Sequence, residues 1–145
     1  GKVEDVYDEN TVFDFSKARV LHEGKKVVLF ATGLMVQESL KAAAILADKG
    51  INARVVDIHT IKPIDKDLLV KCAKETGLIV TVEEHNIAGG LGGAVCEVLA
   101  ENYPCKVKMI GVEEKFGKSG VPAALLEKYG LTAQQIADKV IAAKN

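Results

Sequence analysis

Residues 81–95 have the sequence TVEEHNIAGGLGGAV, which contains the clearest signals of secondary structure in the chain. An apolar run that is typical of a buried strand ends in two glutamates, a histidine and an asparagine, and four glycines then fill five positions before apolar residues resume. Glycine lets a helix begin close against a sheet and permits positive φ in a loop. We therefore predict a strand, a tight turn, and a helix over 91–102.

Strand and helix patterns alternate on both sides of this turn. Apolar residues of period 3.6 predict a helix over 35–49, and Gly50 is a natural residue to end it. Asp65 is the predicted cap of a second helix, and Thr132 with Gln135 predicts a capping box for the last one, which ends near Ala143. The inner face of the helix over 35–49 is predicted to consist of Val36, Leu40, Ala43, Ala44 and Ala47. The other predicted elements are strands at 18–22, 27–32, 53–61, 78–84 and 105–112, and a short helix at 122–129.

This order of elements predicts an α/β fold of three layers, α/β/α, built on a mostly parallel five-stranded sheet. The first two strands flank the turn-like segment EGKK and are expected to form an antiparallel hairpin, which would place one antiparallel strand at an edge of the sheet. Residues 1–17 are polar without a sustained period, and we expect an arm or linker there. Residues 18–145 are expected to form the domain.

The composition argues against several classes of protein. The 145 residues carry a formal net charge of −1 with a pI of about 6.4, so a basic surface for nucleic acid or anionic membranes is not expected. No apolar stretch approaches the roughly 20 residues that span a bilayer. Cys72, Cys96 and Cys105 lack metal-binding spacings, and we interpret them as reduced thiols of a cytoplasmic protein.

Polar side chains collect where the predicted parallel strands end. Ligands of such sheets bind at the carboxyl ends of the strands. The residues expected at those ends are Thr32, Gly33, Asp57, His59, Glu83, Glu84, His85, Glu113 and Glu114. The edge is therefore acidic, and it would repel a phosphate unless Lys115 and Lys118 compensated for the negative charge.

This edge lacks the sequence signatures of known catalytic and cofactor sites. The segment GGLGG supplies two glycines of a GxGxxG dinucleotide motif, but Val95 occupies the third position. No HExxH-like spacing indicates a metal site, and neither Ser39 nor Ser119 lies in a GxSxG turn. We favour a steric role for the glycines. A self-contained ligand- or nucleotide-binding domain remains the alternative, and a pure oligomerisation module is a third hypothesis.

Three segments resemble transketolases. VTVEEHNIAGGLGGAV (80–95), DIHTIKPID (57–65) and GVEEKFGKSGVPAALLEKYGL (111–131) are similar to the C-terminal domain of that family, and the likeness extends from about Asp8 to the end of the chain. It is strongest to the separate C-terminal subunit of transketolases that are split into two chains. Deoxyxylulose phosphate synthase and the pyruvate dehydrogenase beta chain share the strand–glutamate–glycine motif, so their equivalent domains stay open as alternatives.

The resemblance implies the C-terminal domain of an enzyme of the pentose phosphate pathway, which transfers two-carbon ketol units between sugar phosphates. In that family thiamine diphosphate is the electron sink, and two other domains bind it together with Mg. Because the chain has no GDG-type motif for magnesium and diphosphate, we expect it to bind no cofactor and to be inactive alone. The expected partners are the diphosphate-binding domain and a pyrimidine-binding domain preceding Gly1, assembled as a homodimer or heterotetramer.

The resemblance assigns no catalytic residue, no cofactor-binding residue and no metal ligand to this chain. Instead, we expect the residues of the turn to face a neighbouring domain or subunit, or to border the substrate entrance. His85 is the main candidate for contact with substrate. The full set of candidates is His59, Glu83, Glu84, His85, Asn86, Gly89 and Gly90.

Overall fold

The computed structural model describes residues 17–86, 90–112 and 121–145, with the backbone alone at positions 85 and 86. Strands and helices alternate along these residues, as the sequence predicts, and every predicted strand and long helix is present. The elements are β1 (Arg19–His22), β2 (Val27–Ala31), α1 (Leu34–Asp48), β3 (Ala53–Asp57), α2 (Lys66–Glu75), β4 (Ile79–Asn86), α3 (Leu91–Asn102), β5 (Val107–Val112) and α4 (Ala133–Lys144). None of the described helices has the length and apolar character required to cross a bilayer.

The five strands form one sheet in the order β1-β3-β2-β4-β5. The pairs β2–β3, β2–β4 and β4–β5 are parallel, whereas β1 is antiparallel to β3. The sheet is therefore mostly parallel with one antiparallel strand at its edge, and the predicted fold class is confirmed. The predicted domain boundary at residue 18 stays a prediction, since residues 1–16 lie outside the described residues.

The predicted hairpin is wrong, because β1 pairs with β3 and not with β2. The link between β1 and β2 crosses the amino end of β3: the Lys26 N–H donates to the Asn52 carbonyl at 3.1 Å, and a Cβ on Gly24 would lie 2.5 Å from the Ala53 carbonyl carbon. Four link residues can extend about 13 Å. That reach exceeds two strand spacings of about 4.8 Å each, so the link can pass a whole strand.

The central strands β2 and β3 are buried on both faces, and the two faces of the sheet pack against different helices. One core lies between the sheet and the helices α1 and α4, and it includes Val27, Leu29 and Ala31 of β2. The other lies between the sheet and the helices α2 and α3, and it includes Val28 and Phe30 of the same strand. Successive residues of a strand point to opposite faces, so β2 is apolar at every position.

The predicted inner face of α1 is partly wrong. Ala44 and Ala47 are exposed, whereas Ala42 and Leu46 are buried. The helix packs against both the sheet and α4, so its buried surface is wider than one stripe and is rotated from the predicted one. Alanine is compatible with both a buried and an exposed side of a helix, so the alanines of α1 gave little information on which side faces the core. The predicted end of the helix is confirmed, because Gly50 has φ of +77°.

The predicted helix caps are confirmed. The Asp65 carboxylate accepts the Leu68 N–H at 3.3 Å, and Thr132 and Gln135 form the reciprocal capping box of α4. Such caps satisfy N–H groups that have no partner within the helix. The predicted helix over 122–129 is reduced to one 3₁₀ turn, Ala123–Leu125, followed by turns that end at Gly130. A stretch this short makes few helical hydrogen bonds, so α-helix nucleation is unfavourable there.

Candidate interface at the carboxyl edge of the sheet

Glu83 holds the amino end of α3 against the sheet. Its Oε1 accepts the Leu91 N–H at 3.0 Å and its Oε2 accepts the Gly92 N–H at 2.8 Å. Gly90 is the N-cap residue and has no side chain to cap the helix, so the preceding strand supplies the carboxylate instead. The Glu83 residue is only 2% exposed, and its negative charge lies at the positive end of the helix dipole.

The glycines of the turn have a steric function at Gly92. A Cβ at this position would lie 2.6 Å from Met109 Sδ and 3.1 Å from Thr81 Oγ1, so glycine is what lets α3 begin directly against β4 and β5. Gly93 differs, because a Cβ there would meet no atom within 4 Å. The steric interpretation is confirmed for Gly92. Positive φ is not required at Gly90, whose φ is −98°.

Glu84 points away from Glu83 and approaches the other helix layer. A Cβ on Gly33, the N-cap residue of α1, would lie 2.9 Å from Glu84 Oε1, and Gly33 has φ of +55°. The Glu84 carbonyl accepts the Val121 N–H at 3.1 Å. Two consecutive carboxylates of β4 therefore lie near the amino ends of helices on opposite faces of the sheet, as the alternation of a strand requires.

His59 does not lie on the strand next to Glu83 and Glu84. Its Nδ1 lies 3.4 Å from Asp57 Oδ2, and both side chains are about 12% exposed. The strand order places β2 between β3 and β4, so His59, which follows β3, is one strand removed from the neighbours of β4. Two strand spacings put the ends of β3 and β4 about 10 Å apart. A neighbouring protein could contact both ends, but the two groups do not form one compact site.

The structure covers the remaining site candidates unequally. The backbones of His85 and Asn86 belong to β4, and Asn86 pairs with Val112 after an irregularity in the β4–β5 register. Their side chains lie outside the described residues, as do Gly89 and the predicted edge residues Glu113 and Glu114. Gly90 is described, and its carbonyl accepts the Ala94 N–H at 3.1 Å. An interface role for His85, Asn86 and Gly89 therefore stays a prediction.

A groove of about 480 Å³ lies beside Gly90, between α3 and the segment that leads into α2. We call it the α2–α3 groove. Its lining combines apolar side chains, three charged side chains and the bare backbone of two glycines. The lining residues are Ile61, Lys62, Ile64, Lys66, Gly90, Gly93, Ala94, Glu97 and Val98. Such a mixed surface of apolar and charged groups is compatible with contact to another protein.

The carboxyl edge does not fit a diphosphate or a nucleotide bound at the glycine turn. An anion at a helix N-terminus needs the free N–H groups of the first turn, but those of Leu91 and Gly92 are bonded to Glu83. Among residues 17–86, 90–112 and 121–145, no three potential His, Cys, Asp or Glu ligands come together for a metal ion. The described residues thus do not fit thiamine diphosphate with its magnesium.

Sequence reasoning placed Glu83 on a surface, and the structure places it inside the fold. The sequence held a signal, because Glu83 lies within 78–84, which the apolar run predicts to be a buried strand. In the structure Thr81, two residues earlier and therefore on the same face, is fully buried. The contact between Gly92 and Met109 had no comparable signal. The two residues lie on different elements, and only the packing of α3 over β5 joins them.

Comparisons with known proteins place these features in a family. A family model of the transketolase C-terminal domain matches residues 16–136. A 6-deoxy-6-sulfo-D-fructose transketolase subunit, SqwH of Clostridium sp., is 45% identical over 128 residues, which cover 88% of this chain and 40% of that protein. A putative transketolase C-terminal section of Methanocaldococcus jannaschii is 42% identical over 92% of this chain and 42% of its own length. The chain thus spans about two fifths of these relatives.

Other relatives belong to a second enzyme. A 1-deoxy-D-xylulose-5-phosphate synthase of Heliobacterium modesticaldum is 42% identical over 90% of this chain and 20% of that protein.

Among solved structures, a split-gene transketolase described as an inactive beta4 tetramer matches with a TM-score of 0.87 and 48% identity, over 97% of this chain and 45% of that one. A transketolase of Campylobacter jejuni shares the fold, with a TM-score of 0.59, 23% identity, and coverage of 93% of this chain and 20% of that one.

Proposed function

Because this chain belongs to the transketolase C-terminal domain family, we propose that it is the C-terminal section of a split transketolase. Relatives described as a transketolase subunit and as a C-terminal section support this assignment, as does the split-gene transketolase with a TM-score of 0.87. The activity proposed for the whole enzyme is transfer of a two-carbon ketol unit between sugar phosphates, in the cytoplasm and in the pentose phosphate pathway. The equivalent domain of a deoxyxylulose phosphate synthase is the second candidate.

In this proposal the cofactor belongs to other domains. Thiamine diphosphate supplies the electron sink when bound, together with magnesium. The residues of this chain contribute by packing against the domains that bind it. The observation that carries this division is the pair of hydrogen bonds from Leu91 and Gly92 to Glu83, which occupies the anion-binding end of α3 with the chain's own carboxylate.

We propose that the partner domain covers the α2–α3 groove. Two half-buried isoleucines, Ile61 and Ile64, line it, and the bare backbone at Gly93 leaves room for a side chain of the partner. Removing such apolar surface from water favours association by about 25 cal/mol per Å², before the entropic cost of association is subtracted. Gly90 contributes to the same surface, and His85, Asn86 and Gly89 are proposed to extend it.

Reconstitution tests the proposal. The chain is mixed with a polypeptide that carries the pyrimidine- and diphosphate-binding domains, and ketol transfer from a ketose phosphate to an aldose phosphate is measured. We expect activity in the mixture and none from either part alone. Binding of thiamine diphosphate with magnesium at the glycine turn of this chain alone, seen as micromolar affinity in calorimetry together with shifts of the Leu91 and Gly92 amide resonances, would overturn the proposed division of roles.

A matched pair of variants tests the groove. Gly93→Glu adds a carboxylate to the groove from a position where a Cβ would meet no atom within 4 Å, whereas Ala44→Glu adds one to an exposed position on α1. We expect Gly93→Glu to weaken assembly with the partner by at least about tenfold, the effect of roughly 1.4 kcal/mol. Ala44→Glu should leave assembly unchanged. Equal affinity of the two variants for the partner would show that the groove is not the interface.

Self-association of the chain is a second candidate function. The split-gene transketolase with 48% identity is described as an inactive beta4 tetramer, so that relative assembles with copies of itself. Light scattering of this chain over a range of concentrations measures its oligomeric state. A dimer or tetramer in the absence of the partner supports a self-assembly role, and a strict monomer at all concentrations contradicts it.

A further inference from the structure

A second cavity lies at the opposite edge of the sheet. It has a volume of about 660 Å³ and is bordered by the segments that lead into β2, β4 and β5 and by the carboxyl end of α4. We call it the amino-edge cavity, because the parallel strands begin there. The eight residues of β4 separate its two ends by roughly 23 Å. The cavity is therefore distinct from the α2–α3 groove and from the glycine turn.

The amino-edge cavity is positively charged. Lys25, Lys26, Lys106 and Lys144 line it, and no aspartate or glutamate does. None of these four ammonium groups forms an ion pair with the part of the chain that the structure describes. The charges are concentrated in one concave site although the chain as a whole carries a net charge of −1. Like charges gathered in a concavity attract anions more strongly than the same charges spread over a surface.

Two glutamates that lie close in sequence to residues of the amino-edge cavity do not neutralise its positive charge. Glu23 precedes the lysines of the β1–β2 link and lies 3.1 Å from Arg54 Nε, and Glu75 accepts a hydrogen bond from Arg54 Nη1 at 2.8 Å. Arg54 therefore takes both carboxylates as partners. The lysines of the cavity keep their charge available for another anion.

Helix ends explain part of this arrangement. Lysine near the end of a helix is stabilised by the negative end of the dipole, and Lys144 lies in the last turn of α4. Thr76 and Tyr103, the C-cap residues of α2 and α3, also line the cavity, so these two helices end there as well. Lys25, Lys26 and Lys106 belong to links that precede strands, and they gather around the same cavity.

The cavity also offers groups that suit the rest of a small molecule. The ring of Tyr103 forms part of the wall, and Lys74 lies 6.0 Å above that ring, which brings a fifth positive charge near the site. Leu78 and Ile79 add apolar surface. Pockets of about 300 to 1,000 Å³ suit small molecules, whereas a nucleic acid needs an extended basic face.

We propose that the amino-edge cavity is a binding site for a small metabolite that carries two or more phosphate groups. Several lysines around one site match a ligand with several negative charges better than a monoanion, since each phosphate can be approached by more than one ammonium group. The site is independent of the proposed transketolase function, and it is remote from the edge where that function requires a partner domain.

Calorimetric titration of the chain with inorganic pyrophosphate tests this site, with orthophosphate as the ligand of lower charge. We expect saturable binding of pyrophosphate that is at least about tenfold tighter than that of orthophosphate. The amide resonances of Thr76 and Gly77, which line the cavity, should shift during the titration. The absence of saturable binding at pyrophosphate concentrations up to about 10 mM would overturn the proposal.

Two double variants with the same change in net charge locate the binding. Lys25→Gln with Lys106→Gln removes two charges of the cavity, whereas Lys71→Gln with Lys128→Gln removes two exposed charges elsewhere. We expect the first pair to weaken pyrophosphate binding by about tenfold or more and the second to change it by less than about twofold. An equal loss in both pairs would mean that pyrophosphate responds to the overall charge, and the proposed site would be wrong.

Discussion

The carboxylate of Glu83 accepts the backbone N–H of Gly92 at 2.8 Å across the glycine turn. This bond connects the end of a central strand with the beginning of the helix that follows it. The same two residues explain the composition of the turn: Glu83 replaces the missing cap side chain, and Gly92 leaves space for Met109 and Thr81. The turn is therefore a packed structural element, and anions from solution have no free donors at its first two N–H groups.

Replacement of Glu83 should destabilise the fold. Glu83→Gln keeps one acceptor but turns an amide NH₂ toward the other buried N–H, and it removes the charge that favours the helix dipole. We expect a loss of about 1–3 kcal/mol in the free energy of unfolding, measured by urea denaturation. Glu97→Gln, an exposed change on the same helix, is the control and should cost less than about 0.5 kcal/mol. Equal stabilities of the two variants would contradict the capping role.

Two adjacent glycines of α3 should respond differently to replacement by alanine. Gly93→Ala places a methyl group in open space and should stabilise the helix by about 0.5–1 kcal/mol, because alanine loses less backbone entropy. Gly92→Ala should be less stable than Gly93→Ala by about 1–3 kcal/mol, because its methyl group meets Met109 and Thr81. Thermal and urea unfolding measure the stabilities of both variants. In a Met109→Ala background the difference in unfolding free energy between Gly92→Ala and Gly93→Ala should become smaller. An unchanged difference would exclude contact with Met109 as its cause.

Gly24 should tolerate no side chain. A Cβ there would lie 2.5 Å from the Ala53 carbonyl carbon, and backbone atoms cannot move aside as a rotamer can. We expect Gly24→Ala to lower the free energy of unfolding by about 2 kcal/mol or more. The neighbouring change Lys25→Ala, on an exposed side chain, should stay within about 0.5 kcal/mol of the unmodified chain. A neutral result for Gly24→Ala would mean that the β1–β2 link does not pass so close to β3.

Cys72 should make stability depend on alkaline pH. Burial raises the pKa of the Cys72 thiol above its ordinary value, although the nearby Arg54 guanidinium acts in the opposite direction. The folded chain therefore holds this proton at pH values where the unfolded chain loses it. The stabilising contribution is complete below about pH 8.5, the usual pKa of a free cysteine, and is lost as the pH rises through the higher pKa of the folded state.

The comparison with Cys72→Ala measures this contribution. Urea unfolding of both proteins is followed from pH 7.5 to 10 in the presence of reductant. The difference in unfolding free energy between the unmodified chain and the variant should shrink above about pH 8.5, with a limiting slope of about 1.4 kcal/mol per pH unit. A difference that does not change with pH would show that the thiol titrates alike in the folded and unfolded states.

The sequence alone determined the elements and most of their ends. Local chemistry is sufficient there: Asp65 and Thr132 can cap only the helix that follows, and Gly50 adopts a positive φ that ends α1. Runs of apolar residues likewise indicate strands that are buried on both faces, as β2 is. These signals lie within a few residues of the structure they specify, so they can be recognised without knowledge of the fold.

Which of these elements contact one another depends on tertiary packing. The edge strand β1 is next to β3 because the link at Gly24 crosses the amino end of β3, and no local pattern distinguishes this path from a hairpin. The burial of Glu83 depends on where α3 starts, and the amino-edge cavity joins lysines from positions 25 to 144 of the chain. Strand order and helix placement are set by packing between residues that are far apart in the chain. A single sequence shows which residues are present but not which of them come into contact.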